Sequence, residues 1–265
     1  MKKRDLIIVI ILSIIVGFMY ISGLPLALFS SISYKDVSNF VIPIGLNIIL
    51  CTLIIYTTIK LFKVNLDFRI RKDNLLKSIK ETILISLVVI VFYEVAFFIN
   101  YSPLNNSPSI IRLLLEGVIY YLLTAIIEEL LLRGLIFNFF NGVFKENKNR
   151  ILLAAIISSL LFAIGHVPSV LNRGFLICLF RFIYPFAMGL GFAYFYKKAD
   201  NLLIPIIYHF IGSSVTGIIC CFSSIDWVNF DNSNFFIISI TIFSLLISVY
   251  FVNNIRKLEK NSIKN

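Results

Sequence analysis

Ile126-Ile127-Glu128-Glu129-Leu130-Leu131-Leu132-Arg133-Gly134 sets two carboxylates and a guanidinium inside a run that is otherwise almost wholly apolar from Ile110 to Phe140. Ionisable groups at membrane depth are costly, so they persist where they face a bundle interior or a watery cavity, and they mark function by default. Helical spacing separates their roles. Glu129 and Arg133 are four residues apart, share a face and are expected to pair. Glu128 lies about 100° around the helix from Glu129, an arrangement expected to leave its carboxylate free for chemistry.

Outward from that stretch, the chain reads as a membrane protein. Of its 265 residues, 59% are hydrophobic and only 14% charged, against roughly 25% charged in ordinary globular chains. The mean hydropathy is +0.94. An ordinary water-soluble domain is excluded. Apolar segments run over Leu6–Leu24, Phe40–Ile59, Thr82–Ile99, Ile111–Phe140, Ile151–Val167, Phe175–Tyr196, Leu202–Phe222 and Phe235–Val252. A helix needs about 20 apolar residues to cross a bilayer, so the expected fold is all-α, a polytopic membrane bundle with about eight transmembrane helices. A single integral membrane domain, 1–265, is expected, with its motif-bearing core at about 111–214.

The net charge of +10 invites a nucleic-acid partner, but the positions of the charges exclude one. Basic residues cluster at Lys2–Arg4, at Lys63–Lys80, at Lys145–Arg150, at Lys197–Lys198 and at Arg256–Lys264, whereas the alternate connections hold only Lys35 and Arg173. With eight spans, every basic cluster falls on one side, and the positive-inside rule makes that side cytoplasmic. Both termini are expected there, in the cell membrane, with the lipid bilayer as the first partner. Met1–Arg4 before an apolar run resembles a signal peptide, yet the run is long and no A-x-A-like site follows, so an uncleaved first span is expected. Val64–Lys80 reads equally well as an interfacial segment or a solvated basic loop. Cys51, Cys178, Cys220 and Cys221 lie in apolar runs without metal or disulfide spacing. Heavy use of Ile, Asn, Lys and Phe points to an AT-rich bacterial genome.

The chain's two histidines, His166 and His209, both fall inside apolar spans. Counted from the cytoplasmic ends of their spans, His209 lies about 11 Å deep, Glu128 about 18 Å and His166 about 23 Å. A scatter of that size allows the three to meet near mid-membrane. Phe162 is one turn before His166, placed to pack over the imidazole or a substrate. Ser213 is one turn after His209, although serines in membrane helices commonly bond back to their own backbone. Arg112 with Glu116, and Glu94 with Arg181, are further candidate pairs.

Glu128-Glu129-x-x-x-Arg133, then Phe162-x-x-x-His166, then His209 in a later span resemble the motifs of the CPBP family. These are intramembrane CAAX proteases and bacteriocin-processing enzymes, also called the Abi family. The resemblance covers roughly Ile111 to Ser214 and implies an intramembrane endopeptidase. By that resemblance the catalytic base corresponds to Glu128, with Glu129 and Arg133 beside it, and the family's two histidines correspond to His166 and His209. Where the family has Asn four residues after its last histidine, this chain has Ser213, whose shorter hydroxyl would have to face the oxyanion instead.

Peptide hydrolysis needs a base for water, a donor for the leaving amine and a donor for the oxyanion. Glu128 suits the first role, His166 the water or the amine, and His209 with Ser213 the oxyanion. Two His and a Glu also make a zinc-like set. No His-Glu-x-x-His motif accompanies them, and the resembling family is glutamate-dependent, so no metal or other cofactor is expected. The substrate class is a membrane-associated peptide or small membrane protein, such as a bacteriocin or quorum-signal precursor. The rival reading is a non-catalytic membrane immunity factor or sensor-kinase partner. A transporter fits less well, for no paired interrupted helices appear. The orientation is directly testable: a fluorescent protein fused after Asn265 is expected to glow and alkaline phosphatase fused there to stay silent, and the opposite pattern would reverse the topology.

Overall fold

The computed structural model describes residues 37–62, 109–222 and 234–264, together with Ile11, Leu76, Ile79, Lys80, Ile83, Leu87, Val88 and Val91. All regular structure among the described residues is helical. Helix α1 is Val37–Phe62. Helix α2 (110–143) is a continuous rod built of Ile110–Arg112, a π-helical stretch Leu113–Tyr120, the α-helical Tyr121–Glu129, a second π stretch Leu130–Phe137, and Asn138–Val143. Then come α3 (Arg150–His166), a 3-10 turn (Pro168–Arg173), α4 (Phe175–Ala199), α5 (Leu203–Phe222) and α6 (Asn234–Lys264).

Local chemistry explains the breaks. Pro168 opens the 3-10 turn, and Gly174 at φ +95° turns the chain into α4, a backbone conformation that glycine adopts without a steric cost. At the far end of α4, the side chain of Asn201 accepts the Leu203 N–H at 2.8 Å and so caps α5. Phe162 of α3 lies 4.6 Å from the His166 ring and 5.7 Å from the His209 ring of α5, so the two imidazoles come to one region. Helix α4 is central, with α3 and α6 packed along it. Helix α5 lies against α2 and α4, and α1 lies against α2. The main core holds Phe137, Ile151, Phe180, Leu190, Leu202 and Ile237, and a smaller one joins Ile48, Cys51, Ile55 and Ile59 to Ile127, Leu135 and Phe139. At Gly189 a Cβ would stand 3.0 Å from Ser159 Cα, so α3 and α4 approach this closely only because the residue is glycine.

Helix α6 shows which solvent the bundle faces. Its outward side carries Ile238, Ile242, Leu245, Leu246 and Val249, all exposed, while Thr241, Ser244 and Ser248 are buried and donate to backbone carbonyls four residues back. Apolar residues outside and small polar ones inside suit hydrocarbon, where helices associate through close-packed small residues, and a continuous apolar stripe is foreign to a water-soluble surface.

Two described helices are long and apolar enough to cross a membrane, Phe175–Ala199 and the Ile237–Asn261 stretch. About eight crossing helices were expected, and the structure supplies that number only in part. Arg150–His166, at 17 residues, rises about 25 Å and stops short of the ~30 Å hydrocarbon core, because the 3-10 turn ends it. Ile48–Lys60 and Leu203–Ile219 are likewise shorter apolar stretches, and α2 alternates between short α and π stretches. The expected spans Leu6–Leu24 and Thr82–Ile99, and nearly all of Val64–Lys80, lie outside the described residues, as do Glu94 and the side chains of Arg112, Glu116, Cys220 and Cys221. Cys51 is buried and Cys178 half-buried, and neither forms a disulfide.

Helix α6 runs twelve residues beyond the apolar segment read in the sequence, which ended at Val252. The extension is anchored by Glu259, a buried carboxylate that accepts the Ile151 N–H at 2.7 Å and so caps α3 from across the bundle. Glu259→Ala leaves that N–H buried without its acceptor and is expected to cost about 1–3 kcal/mol, read as a lower unfolding temperature in detergent micelles. Glu259→Gln keeps an acceptor oxygen and should recover most of the loss.

Candidate active site

The polar cluster begins where α2 changes pitch. Glu129 is the last residue of the α-helical stretch and Arg133 lies inside the following π stretch. The two pair as their spacing leads one to expect, Arg133 Nη1 donating to Glu129 Oε1 at 2.8 Å, and both side chains are 0% exposed. The other end of the guanidinium, Nη2, donates to the carbonyl of Gly189 at 2.8 Å, reachable because α4 comes in so close there. Its central carbon, Cζ, lies 5.3 Å from the ring centres of both Phe162 and Phe192, which adds cation–π attraction in a buried setting. Widened π turns recur at functional sites. This one returns to α-helix at Asn138, whose Nδ2 donates to the carbonyls of Arg133 and Gly134 and to the hydroxyl of Tyr196 at 2.7 Å. That side chain braces the turn that holds Arg133 and ties it to α4.

His209 joins the two carboxylates. Its Nδ1 is 2.9 Å from Glu129 Oε1 and its Nε2 is 3.4 Å from Glu128 Oε2. Glu129 Oε1 already accepts from Arg133, so the imidazole nitrogen beside it carries a proton and donates. Glu128 is therefore not the free carboxylate that the helical wheel implies. An imidazole has two nitrogens on opposite edges, and His209 uses them to reach both neighbours at once. The environments still differ: the Glu128 side chain keeps 14% of its surface open while Glu129 keeps none.

His166 stands near the same place from α3. Its Nδ1 is 2.8 Å from the carbonyl of Phe162. A carbonyl only accepts, so Nδ1 bears the proton and Nε2 is the acceptor edge of the neutral ring. Phe162 is buried and meets His166 edge-on at 4.6 Å and His209 edge-on at 5.7 Å. Phe192 stacks on His209 at 4.7 Å with ring planes 16° apart.

A cavity of about 410 Å³ opens on this cluster, lined by Glu128, Phe162, His166, Phe192, His209 and Ser213, with Tyr120, Tyr121, Thr124, Arg181, Tyr184 and Thr216 further along. Glu128 and both histidines thus share one chamber, and Glu129 and Arg133 sit behind its wall. Ser213 faces the chamber, whereas its neighbours Ser214 and Thr216 bond back to Ile211 and Gly212. Among the described residues no group of three or more His, Cys, Asp or Glu is arranged to hold a metal ion.

Sequence reading missed Phe192, Asn138, Tyr196 and the Gly189 carbonyl. Nothing sets one buried phenylalanine apart among 26 in the chain, and a backbone acceptor has no residue type to find. Asn138 carried the one available signal, an amide inside an apolar run.

Compared with known proteins, residues 110–215 match the family model for type II CAAX prenyl endopeptidase, Rce1-like. The match spans α2 to the middle of α5 and includes every motif residue. No curated protein matches the chain.

Removing one partner of the buried pair leaves an uncompensated ion, which costs about 3–5 kcal/mol. Arg133→Met alone is therefore expected to abolish accumulation in the membrane, and Arg133→Met with Glu129→Gln to recover it in part. Immunoblots of membrane fractions compare the two. Equal levels for the single and double variants would show that the pair carries no such strain.

Proposed function

We propose, in keeping with the match of residues 110–215 to the type II CAAX prenyl endopeptidase model, that this protein is an intramembrane endopeptidase of the CPBP kind in which Glu128 activates water. The observation that carries the reading is one chamber shared by Glu128, His166 and His209, with the Glu128–His209 contact at 3.4 Å. In the proposed reaction, Glu128 takes a proton from water as its oxygen bonds to the peptide carbonyl carbon, and the carbonyl electron pair moves to oxygen. His166, holding its Nδ1 proton on Phe162, accepts a hydrogen of that water at Nε2 and orients it. Doubly protonated, His209 keeps Nδ1–H on Glu129 and directs Nε2–H to Glu128 at rest, then to the oxyanion once Glu128 has taken the proton from water, with the Ser213 hydroxyl beside it. As the C–N bond breaks, Glu128 passes its proton to the leaving nitrogen. Glu129 and Arg133 touch no substrate; they fix the tautomer of His209.

The scheme uses no metal or cofactor. Its substrate is a membrane-associated peptide or small membrane protein, such as a bacteriocin or quorum-signal precursor. The proposal includes a multi-pass bundle of about eight helices in a bacterial cell membrane with cytoplasmic termini. Ser213, in the place where the family has Asn, favours a second reading: a non-catalytic immunity factor or sensor-kinase partner of the same fold.

The two readings part on one substitution. Glu128→Gln keeps shape and removes the base, so turnover of quenched peptides by the full-length protein in proteoliposomes should fall about 10²–10⁴-fold, while membrane accumulation stays normal. A phenotype that survives Glu128→Gln unchanged would hand the function to the non-catalytic reading.

A further inference from the structure

Two in-plane contacts fix where the nitrogens of His209 point, but hydrogen bonds at the edge of an imidazole leave its plane free to tilt. A parallel ring removes that freedom. Phe192 stacks on His209 at 4.7 Å and 16°, stands 5.3 Å from Arg133 Cζ, and is itself 3% exposed. Phe162 adds an edge contact to the same imidazole at 5.7 Å and lies 6.4 Å from Phe192. One benzene ring thus lies against both donors that converge on Glu129 Oε1. Plain volume filling would not call for a parallel stack, whereas an aromatic ring over an imidazole or guanidinium gains from its flat, negative face.

We propose that Phe192 is a positioning residue of the active site: its ring holds the imidazole plane of His209 so that Nδ1 stays on Glu129 and Nε2 stays on Glu128. The kinetic part of this inference rests on the hydrolytic reading above, and the geometric part stands without it.

The test uses the full-length protein in nanodiscs with ¹⁵N-labelled histidine. The chain has only two histidines, and His166→Gln assigns their signals. The unmutated protein should show one His209 Nδ1 resonance in the protonated range, and His209 ring protons displaced upfield by the stacked ring. Phe192→Met keeps nearly the same volume and removes the ring face. In that variant the Nδ1 signal should split or move toward the unprotonated range. Turnover should fall roughly two- to tenfold, the size of one aromatic pair, with KM within about twofold. Phe192→Tyr, which keeps the ring, should restore a single Nδ1 signal and most of the turnover. A Met variant with an unchanged Nδ1 resonance, or a Tyr variant that behaves like Met, overturns the proposal. Should Phe192→Met fail to accumulate, the unmutated protein decides: ring protons of His209 without an upfield displacement overturn it equally. If no peptide is cleaved by any form, the hydrolytic reading falls, and the resonances alone decide whether Phe192 holds the imidazole.

Discussion

The ion pair between Arg133 and Glu129, with neither side chain exposed, constrains everything built around it. Taking two ions out of water carries an effective penalty of several kcal/mol each, repaid only by close geometry and further hydrogen bonds. The chain supplies these from three helices. Helix α2 provides both ions, α4 provides the Gly189 carbonyl and the Phe192 ring, and α5 provides His209. A side chain larger than hydrogen at position 189 would push α4 away from Ser159 on α3 and carry that carbonyl off with it. Helix spacing, glycine placement and the histidine contact are consequences of one buried charge pair.

The same constraint divides the two adjacent glutamates. Glu129 is locked behind the chamber wall, where a single oxygen accepts from both Arg133 and His209. Glu128 borders the chamber and retains partial exposure. Neighbours in sequence therefore have different work open to them, because one face of the helix is sealed and the next is wet. The imidazole between them connects the sealed side to the wet one, and its proton on Nδ1 is dictated from the sealed side.

Some of this was legible from residue types alone. Charges in apolar runs stand out, so Glu128, Glu129, Arg133, His166 and His209 were all visible, and an i,i+4 rule was enough to pair two of them. What escaped was geometry that leaves no trace in composition. The π stretches at Leu113–Tyr120 and Leu130–Phe137 contain ordinary helix formers, and no 3.6-residue pattern announces them. The convergence of both carboxylates on His209 could not be read from a helical wheel of α2, because the partner comes from α5. Hydropathy counts residues and leads to an expectation of about eight crossings; among the described residues two helices are long and apolar enough for one, and no count of apolar residues foretells the 3-10 turn that ends α3.

The cap that Glu259 places on Ile151 joins residues 108 positions apart. During synthesis, the first turn of α3 emerges long before the carboxylate that completes it. At about 5–20 residues per second, the interval is several seconds or more. Glu128, Glu129 and Arg133 are made before that wait begins, and Phe162, His166, His209 and Ser213 follow within it, so every group of the polar cluster is present while the helix bearing Phe162 and His166 still has an unfinished start. Closure of the bundle is thereby deferred to the final helix, and a nascent chain halted between Thr216 and Glu259 would hold every chemical group of the chamber yet lack the latch that secures one of its walls.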